Sequence, residues 1–344
     1  MKSRTLSLLL FVAAAALLDA QRGDLTMYWV DVEGGAATLI VSPSGQSVLV
    51  DSGNPGDRDA KRIFETAQLA GLKKIDMLVT THYHGDHVGG LAALVKLIPV
   101  DKFYDHGDSK EAPINPRAAQ TYDAYKTIVE GKRVVVKPGD KIPLNGVDIT
   151  VVSADGEVIQ KPLDKDAKPN SLCEGAEQKT PDPTQPENTM SVGTLMTYGK
   201  FRFLNLGDLT WDRELMLACP VNKIGTVSLL QATHHGFYRL WSGAPPLVWG
   251  IRPQVVVVAN GPTKGLPKEG YETIAKIPGI EGIWQGHRAT ANDEAHNTSE
   301  QMTANLDATK DETKANLIKA TISKDGKFAI TNERNGYSKT YTAR

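Results

Sequence analysis

The sequence predicts an α/β protein built as a four-layer αββα sandwich, two β-sheets face to face with helices outside. Two observations lead there. Strand-like and helix-like segments alternate in two successive series, with no short-period repeat. The residues able to carry chemistry fall at the ends of the expected strands.

Residues 25–32 are β-rich and are followed by 37–41 and 47–50, with a turn at 42–45, which spells an antiparallel meander. Residues 57–69 show helical spacing through Ile63, Phe64, Ala67 and Leu69. A short apolar strand at 75–80 ends in a histidine cluster. An apolar helix at 88–98, an amphipathic helix at 115–130 and further strands across 132–154 complete the first half. Residues 155–187 are rich in proline and charge and poor in apolar periodicity, a long surface loop able to overhang a site. Strands resume at 190–198 and 201–206, followed by a helix at 211–219. The strand at 227–232 ends in a second histidine cluster. Strands at 254–259 and 282–285 flank a helix at 271–277, and 317–323, 328–331 and 337–342 are strands of the tail.

The 344 residues are 40% hydrophobic and 23% charged, which excludes disorder, collagen-like repeats and coiled coil. Lys and Arg number 39 against 40 Asp and Glu, so no global field attracts nucleic acid or an anionic membrane. Charge therefore gives no support to long nucleic acid as a partner, and a small molecule or short substrate suits it better.

Lys2 and Arg4 precede an apolar run at 6–18 and then Asp19-Ala20-Gln21, the pattern of a secretory signal peptide cut after Ala20. The run falls short of the roughly 20 apolar residues of a spanning helix. The expectation is a signal peptide at 1–20 and a single domain at 21–344. The mature protein would be periplasmic or extracellular, without stable membrane insertion. Cys173 and Cys219 form either one disulfide or two thiols, since spacing alone does not supply their distance.

Residues 81–90 read THYHGDHVGG, which places His82, His84, Asp86 and His87 within six positions and uses three of the eight histidines. Imidazoles and a carboxylate are donors for zinc and similar divalent ions. In a turn after a strand, His82 and His84 share one face while Asp86 and His87 swing toward a second point, so the spacing suggests two metal positions. Asp51, Asn188, Asp208 and the His234-His235 pair lie at or beside comparable strand ends. Alternation along an extended backbone aims only one of His234 and His235 at the metals, while Gly236 permits a sharp turn that brings the other alongside the cleft. His235 is the expected ligand, with His234 toward a substrate oxygen. His106 is expected to be structural, His287 to line the cleft or stay structural, and His296 to lie at the surface.

In this order, Asp51, His82-x-His84-x-Asp86-His87, Asp208 and His234-His235 resemble the metallo-β-lactamase superfamily over about residues 25–285. The chain is most similar to the catalytic domain of ComEC-type DNA-uptake proteins and their free-standing secreted relatives. Those carry a comparable Asn-x-x-Ser, Gly-Asp and His-His-Gly series. The resemblance implies the metallo-β-lactamase fold, one or two Zn²⁺ (or Mn²⁺) ions, and hydrolysis of phosphodiesters or other esters by a metal-bound hydroxide. It implies a first metal on His82, His84 and Asp208 and a second on Asp86, His87, Asp208 and His235. Asp86 and His234 would act in catalysis, and Asp51, Asn188 and His287 would support the site or touch substrate. Many members place a third histidine where Asn188 stands. A bridging Asp208 tilts the expectation from β-lactams toward phosphodiesters or lactones. The alternative of another class is a non-catalytic metal-binding module.

Overall fold

The computed structural model describes residues 23–238, 240–307 and 315–344. The expected signal peptide at 1–20 lies outside the described residues. Among these residues no helix is long and apolar enough to cross a membrane.

The strands of the first half are β1 (Leu25–Trp29), β2 (Thr38–Val41), β3 (Ser47–Val50), β4 (Ile75–Val79), β5 (Val100–Asp105) and β6 (Arg133–Val135). They lie side by side in that order. The first three pair antiparallel as a meander, and β3 to β6 run parallel. Parallel neighbours need crossovers, which α1 (Asp57–Leu69), the one-turn α2 (Gly85–Val88), α3 (Leu91–Leu97) and α4 (Pro116–Val129) supply. The expected helix at 88–98 is thus interrupted by Gly89-Gly90. A Cβ on Gly90 would sit 2.1 Å from the Ser52 carbonyl oxygen, so the turn there depends on glycine. Asn115 caps α4 by accepting from the backbone N–H of Arg117 and Ala118, with Pro116 at the first helical position.

The second sheet holds β7 (Lys141–Leu144), β8 (Val147–Ala154), β9 (Glu157–Val158), β10 (Gly193–Tyr198), β11 (Phe201–Asn205), β12 (Leu229–Gln231), β13 (Val255–Val258), β14 (Gly282–His287) and β15 (Thr303–Asn305). Its outer face carries α5 (Trp211–Ala218), α6 (Pro245–Val248) and α7 (Lys268–Ala275). The tail strands β16 (Ile318–Ile322), β17 (Lys327–Asn332) and β18 (Ser338–Thr342) return to the first sheet, where β16 pairs antiparallel with β1. The two sheets are therefore not built from two consecutive halves alone.

Side-chain alternation separates the layers. Met27, Trp29, Val48, Val50, Met77 and Val79 enter the core between the sheets, together with Val255 and Val257. Their neighbours Tyr28, Leu39, Leu49 and Leu78 face the first helical layer, while Val256 and Val258 face the second. Both faces of each sheet are covered, as parallel strands require. This is the four-layer αββα sandwich.

The segment at 155–187 is mostly irregular, with β9, a 3₁₀ turn at Ser171–Cys173 and the start of a second at Pro186–Met190. Of the two readings for the cysteines, the structure has the disulfide: Cys173 and Cys219 are joined across a Cα–Cα distance of 5.8 Å. Asn170 adds side-chain hydrogen bonds to the carbonyls of Ala218 and Pro246. The long loop is thereby tied to α5 and α6.

Candidate metal centre

The carboxyl ends of β3, β4, β11 and β12 open onto one edge of the sandwich, where α/β sheets commonly carry their clefts. Past β4, extended backbone leads to His84, which immediately precedes the one-turn α2. That turn carries Asp86 and His87. Past β11, Gly207 takes φ +56°, and a Cβ there would lie 2.7 Å from Thr81 Cβ. Glycine at this point lets the next residue, Asp208, approach the histidine turn of the first half.

Asp86, His87, Asp208 and His235 each bring one ligand atom within 4.8 Å of the others. His87 Nε2 lies 3.3 Å from Asp208 Oδ1, 3.5 Å from Asp86 Oδ2 and 3.2 Å from His235 Nε2. His235 Nε2 lies 3.2 Å from Asp86 Oδ2 and 3.5 Å from Asp208 Oδ2. His87, Asp208 and His235 are buried and Asp86 is partly exposed, so the cluster meets solvent on one side.

The paired histidines do not alternate as residues of an extended strand would. His234 and His235 have φ of +53° and +52°, the left-handed region, inside a 3₁₀ turn (Thr233–Gly236). Alternation holds for extended backbone only, and this backbone curls. His234 Nε2 also lies 3.5 Å from Asp208 Oδ2. The two rings still differ in company. His235 is braced by its Nδ1 on the Ala259 carbonyl at 3.0 Å. His234 instead stacks on Trp241, with ring centroids 5.2 Å apart.

His82 Nε2 lies 3.9 Å from Asp208 Oδ2 and is buried without a hydrogen-bond partner. An unpartnered buried ring nitrogen facing a carboxylate is a donor fitted to a cation. His84 stands outside the four-residue cluster, with its Nε2 2.9 Å from Glu111 Oε2. That contact occupies Nε2 and leaves Nδ1 for any metal.

Asp51 lies 2.8 Å from His87 Nδ1 and accepts from the Thr81 backbone N–H and hydroxyl at 2.8 and 2.9 Å. It fixes the ring while Nε2 faces the cluster. Asn188 is buried in a 3₁₀ turn (Pro186–Met190), and its Oδ1 has no partner. His287 is buried with Nε2 2.6 Å from Asp31 Oδ1, apart from the cluster. His106 lies 2.7 Å from Glu187 Oε1, while Glu187 Oε2 accepts from Ser109 and the Lys110 N–H. It joins two loops. His296 pairs with Asp293 at the surface.

The field of the site favours positive charge. Burial would raise the carboxyls of Asp208 and Asp86, but neighbouring imidazoles, His87 foremost, hold both well below the usual carboxylate range. Burial would lower His87, but Asp208, Asp51 and Asp86 lift it well above the ordinary histidine value. His82 is driven well below it by burial and by His87 and His84, so it stays neutral with its lone pair free. Burial likewise brings His234 down to about 4. Asp51 is raised by burial, an effect that His87 only partly offsets.

Sequence reasoning missed Lys264, whose Nζ forms an ion pair with Asp86 Oδ2. It sits in the loop after β13, 178 positions from its partner, and no local pattern marks it. Glu111, Thr81 and Trp241 were missed as well. Thr81 alone carried a signal, since it opens the THYHGDH string.

Residues 30–163 match the profile of the Metallo-beta-lactamase superfamily. Over that segment the chain is similar to this superfamily. The matched region carries Asp51 and the His82–His87 motif, whereas Asp208 and the histidine pair lie beyond it. The chain is 36% identical over 72 residues to a metal-dependent hydrolase of Cupriavidus metallidurans, covering 21% of this chain and 23% of that protein. It is 27% identical over 128 residues to a ribonuclease Z of Clostridium acetobutylicum, covering 37% of this chain and 35% of that protein. The chain thus spans about a quarter to a third of the length of these relatives. Among solved structures, a diphosphatase of the PhnP family matches with TM-score 0.39 and 17% identity, covering 75% of this chain and 94% of that one.

Proposed function

We propose that this protein is an exported metal-dependent hydrolase that cleaves a phosphodiester or related ester. The observation that carries the proposal is the convergence of Asp86, His87, Asp208 and His235 from two sheets onto one point. His82 Nε2 stands beside it without a partner. The nitrogen and carboxylate donor set suits Zn²⁺, with Mn²⁺ as a substitute. A cation held there polarises the substrate and lowers the pKa of a water molecule.

The chain's own residues divide the remaining work. Asp51 holds the His87 ring by its Nδ1, and Glu111 holds His84 by its Nε2. Asp208 turns Oδ1 to His87 and Oδ2 to the histidine pair, so its two oxygens serve different neighbours. With metal bound, Asp208 would be able to hold it through either oxygen, which favours phosphodiesters over β-lactams. His234 is neutral and, with Trp241 beside it, is free to hydrogen-bond a substrate oxygen. Lys264 balances charge at Asp86 and orients that carboxylate. The likeness to a ribonuclease Z agrees with a phosphodiester substrate.

The basic and apolar start of the sequence and the Cys173–Cys219 disulfide both suit an oxidising, exported environment. The series Asn188-x-x-Ser191, Gly207-Asp208 and His234-His235-Gly236 supports a place near the ComEC-type branch.

Assays of the purified protein with bis(p-nitrophenyl) phosphate, nitrocefin and a lactone, before and after chelation, test this reading. Chelator-sensitive cleavage of the phosphodiester, restored by Zn²⁺ or Mn²⁺, is expected. Faster nitrocefin or lactone turnover would reassign the substrate. Metal binding without any turnover would make the protein a binding module.

A further inference from the structure

We infer that the cleft beside His234 is a subsite for a planar heteroaromatic group of nucleobase type, carried by the substrate. The inference deepens the hydrolase reading and rests on it for the position of the scissile bond.

The cleft is open to solvent and is lined by Lys179, Gln185, Asn188, Thr210, Trp211 and Trp241 among others. It begins two residues beyond Asp208, so a group seated in it lies next to the candidate metal centre. The long loop at 155–187 contributes one wall through Lys179 and Gln185.

Trp241 forms an aromatic shelf. Its side is half exposed, at 50%, whereas three of the other four tryptophans are at most 4% exposed. It is nevertheless held in place: one contact is the His234 ring at 5.2 Å, inclined by 27°, and another is Phe237 at 5.0 Å. An anchored indole left open to solvent beside a reaction centre offers a surface on which a flat ring can stack. Trp211 stands behind it, its Nε1 bonded to the Glu177 carbonyl and its ring under Lys179 Nζ at 4.2 Å.

Asn188 gives the cleft its polar preference. It is 5% exposed, and its Oδ1 has no donor. A buried acceptor left unpaired is unfavourable, and a ligand N–H or O–H that reaches Oδ1 through a small shift of the Asn188 side chain in the cleft wall would satisfy it. An alkyl chain or a plain phenyl ring would cover the shelf but leave Oδ1 unsatisfied. A heteroaromatic ring with an amino or imino edge does both: its face meets Trp241 and its edge meets Asn188. Stacking on one aromatic ring tolerates any base, so the subsite selects the class of group and not one base.

The test is calorimetric binding of adenosine 5′-monophosphate and of ribose 5-phosphate to the metal-loaded full-length mature protein. The two probes share the phosphate and the sugar and differ by the base. Wild type should bind the nucleotide at least about tenfold more tightly, the factor that stacking of one base typically supplies. Trp241→Ala should bring the two affinities within about a factor of three, and Trp241→Phe should keep most of the preference. Equal affinities in wild type, absence of binding by both probes, or a preference that survives Trp241→Ala would each overturn the subsite. Because binding is read without turnover, a protein that prefers the nucleotide yet hydrolyses no ester would sink the hydrolase reading and leave the subsite standing.

Discussion

Two turns bring histidines to the same point, and they do so by different means. The His82–His87 turn is compact: an extended segment feeds a single helical turn, and its spacing can be read from the sequence. The Thr233–Gly236 turn relies on two consecutive residues in the left-handed region, which no pattern of residue types announces. The first is dictated by local sequence. The second is imposed by its surroundings: the His234 N–H donates to the Gly207 carbonyl, the Leu266 N–H donates to the His235 carbonyl, and Ser242 Oγ lies 3.4 Å from His234 Nδ1. A motif therefore identifies donors more readily than it fixes where they point.

Asp208 joins the two turns, so its removal should break the comparison most severely. Asp208→Ala should lose bound metal and reduce hydrolysis by more than the ~10²–10³ typical of one lost transition-state donor. Metal analysis together with turnover checks both. Wild-type metal loading in this variant would show that the carboxylate is not a ligand.

Within the second turn, His235→Ala should weaken metal binding by at least the ~10–100-fold that outer contacts alone can cost. His234→Ala should keep the metal and slow turnover by about 10²–10³. A competitive chelator titration separates them, and the reverse outcome would exchange their roles. In the first turn, Asp51→Asn should lower metal affinity by about 10–100-fold, because the His87 ring loses the carboxylate that fixes it.

The last effect, read in stability rather than activity, concerns the support behind the second turn. Glu214 is buried on α5 and accepts from the Ala244 N–H at 2.8 Å. Burial pushes its carboxyl up to about 8 from an ordinary 4.5. The folded state thus holds a proton that the unfolded chain gives up. The stability this supplies is full below about pH 4.5 and is lost as pH rises to about 8. Glu214→Gln should remove that loss. In urea unfolding, stability of wild type minus variant should fall by roughly a few kcal/mol across this range. A pH-independent difference would contradict it.

These contrasts also show how much of the molecule was legible. The first helix was readable to the residue at 57–69, because Ile63 and Ala67 of its apolar spacing lie on one buried face, although Leu69 is exposed. The strands were legible through their apolar runs, and the order of layers followed from their alternation with helices. The return of β16 to β1 was not, since pairing across 297 positions leaves no local trace (Leu25 opposite Ile322). At the site, the motif marked His82, His84, Asp86 and His87, and strand ends marked Asp51, Asp208 and the histidine pair. Lys264 and Glu111 were hidden for one physical reason: lone charged residues in loops acquire meaning only from partners that the fold brings near.

The central claim is that Asp86, His87, Asp208 and His235 hold a divalent cation between the two turns. Diffraction data collected at the zinc absorption edge, on protein purified without added chelator and loaded with Zn²⁺, test it most directly. The account predicts an anomalous peak within coordination distance of Asp208 and His235. Protein fully loaded with zinc but lacking any peak among these four residues would contradict it.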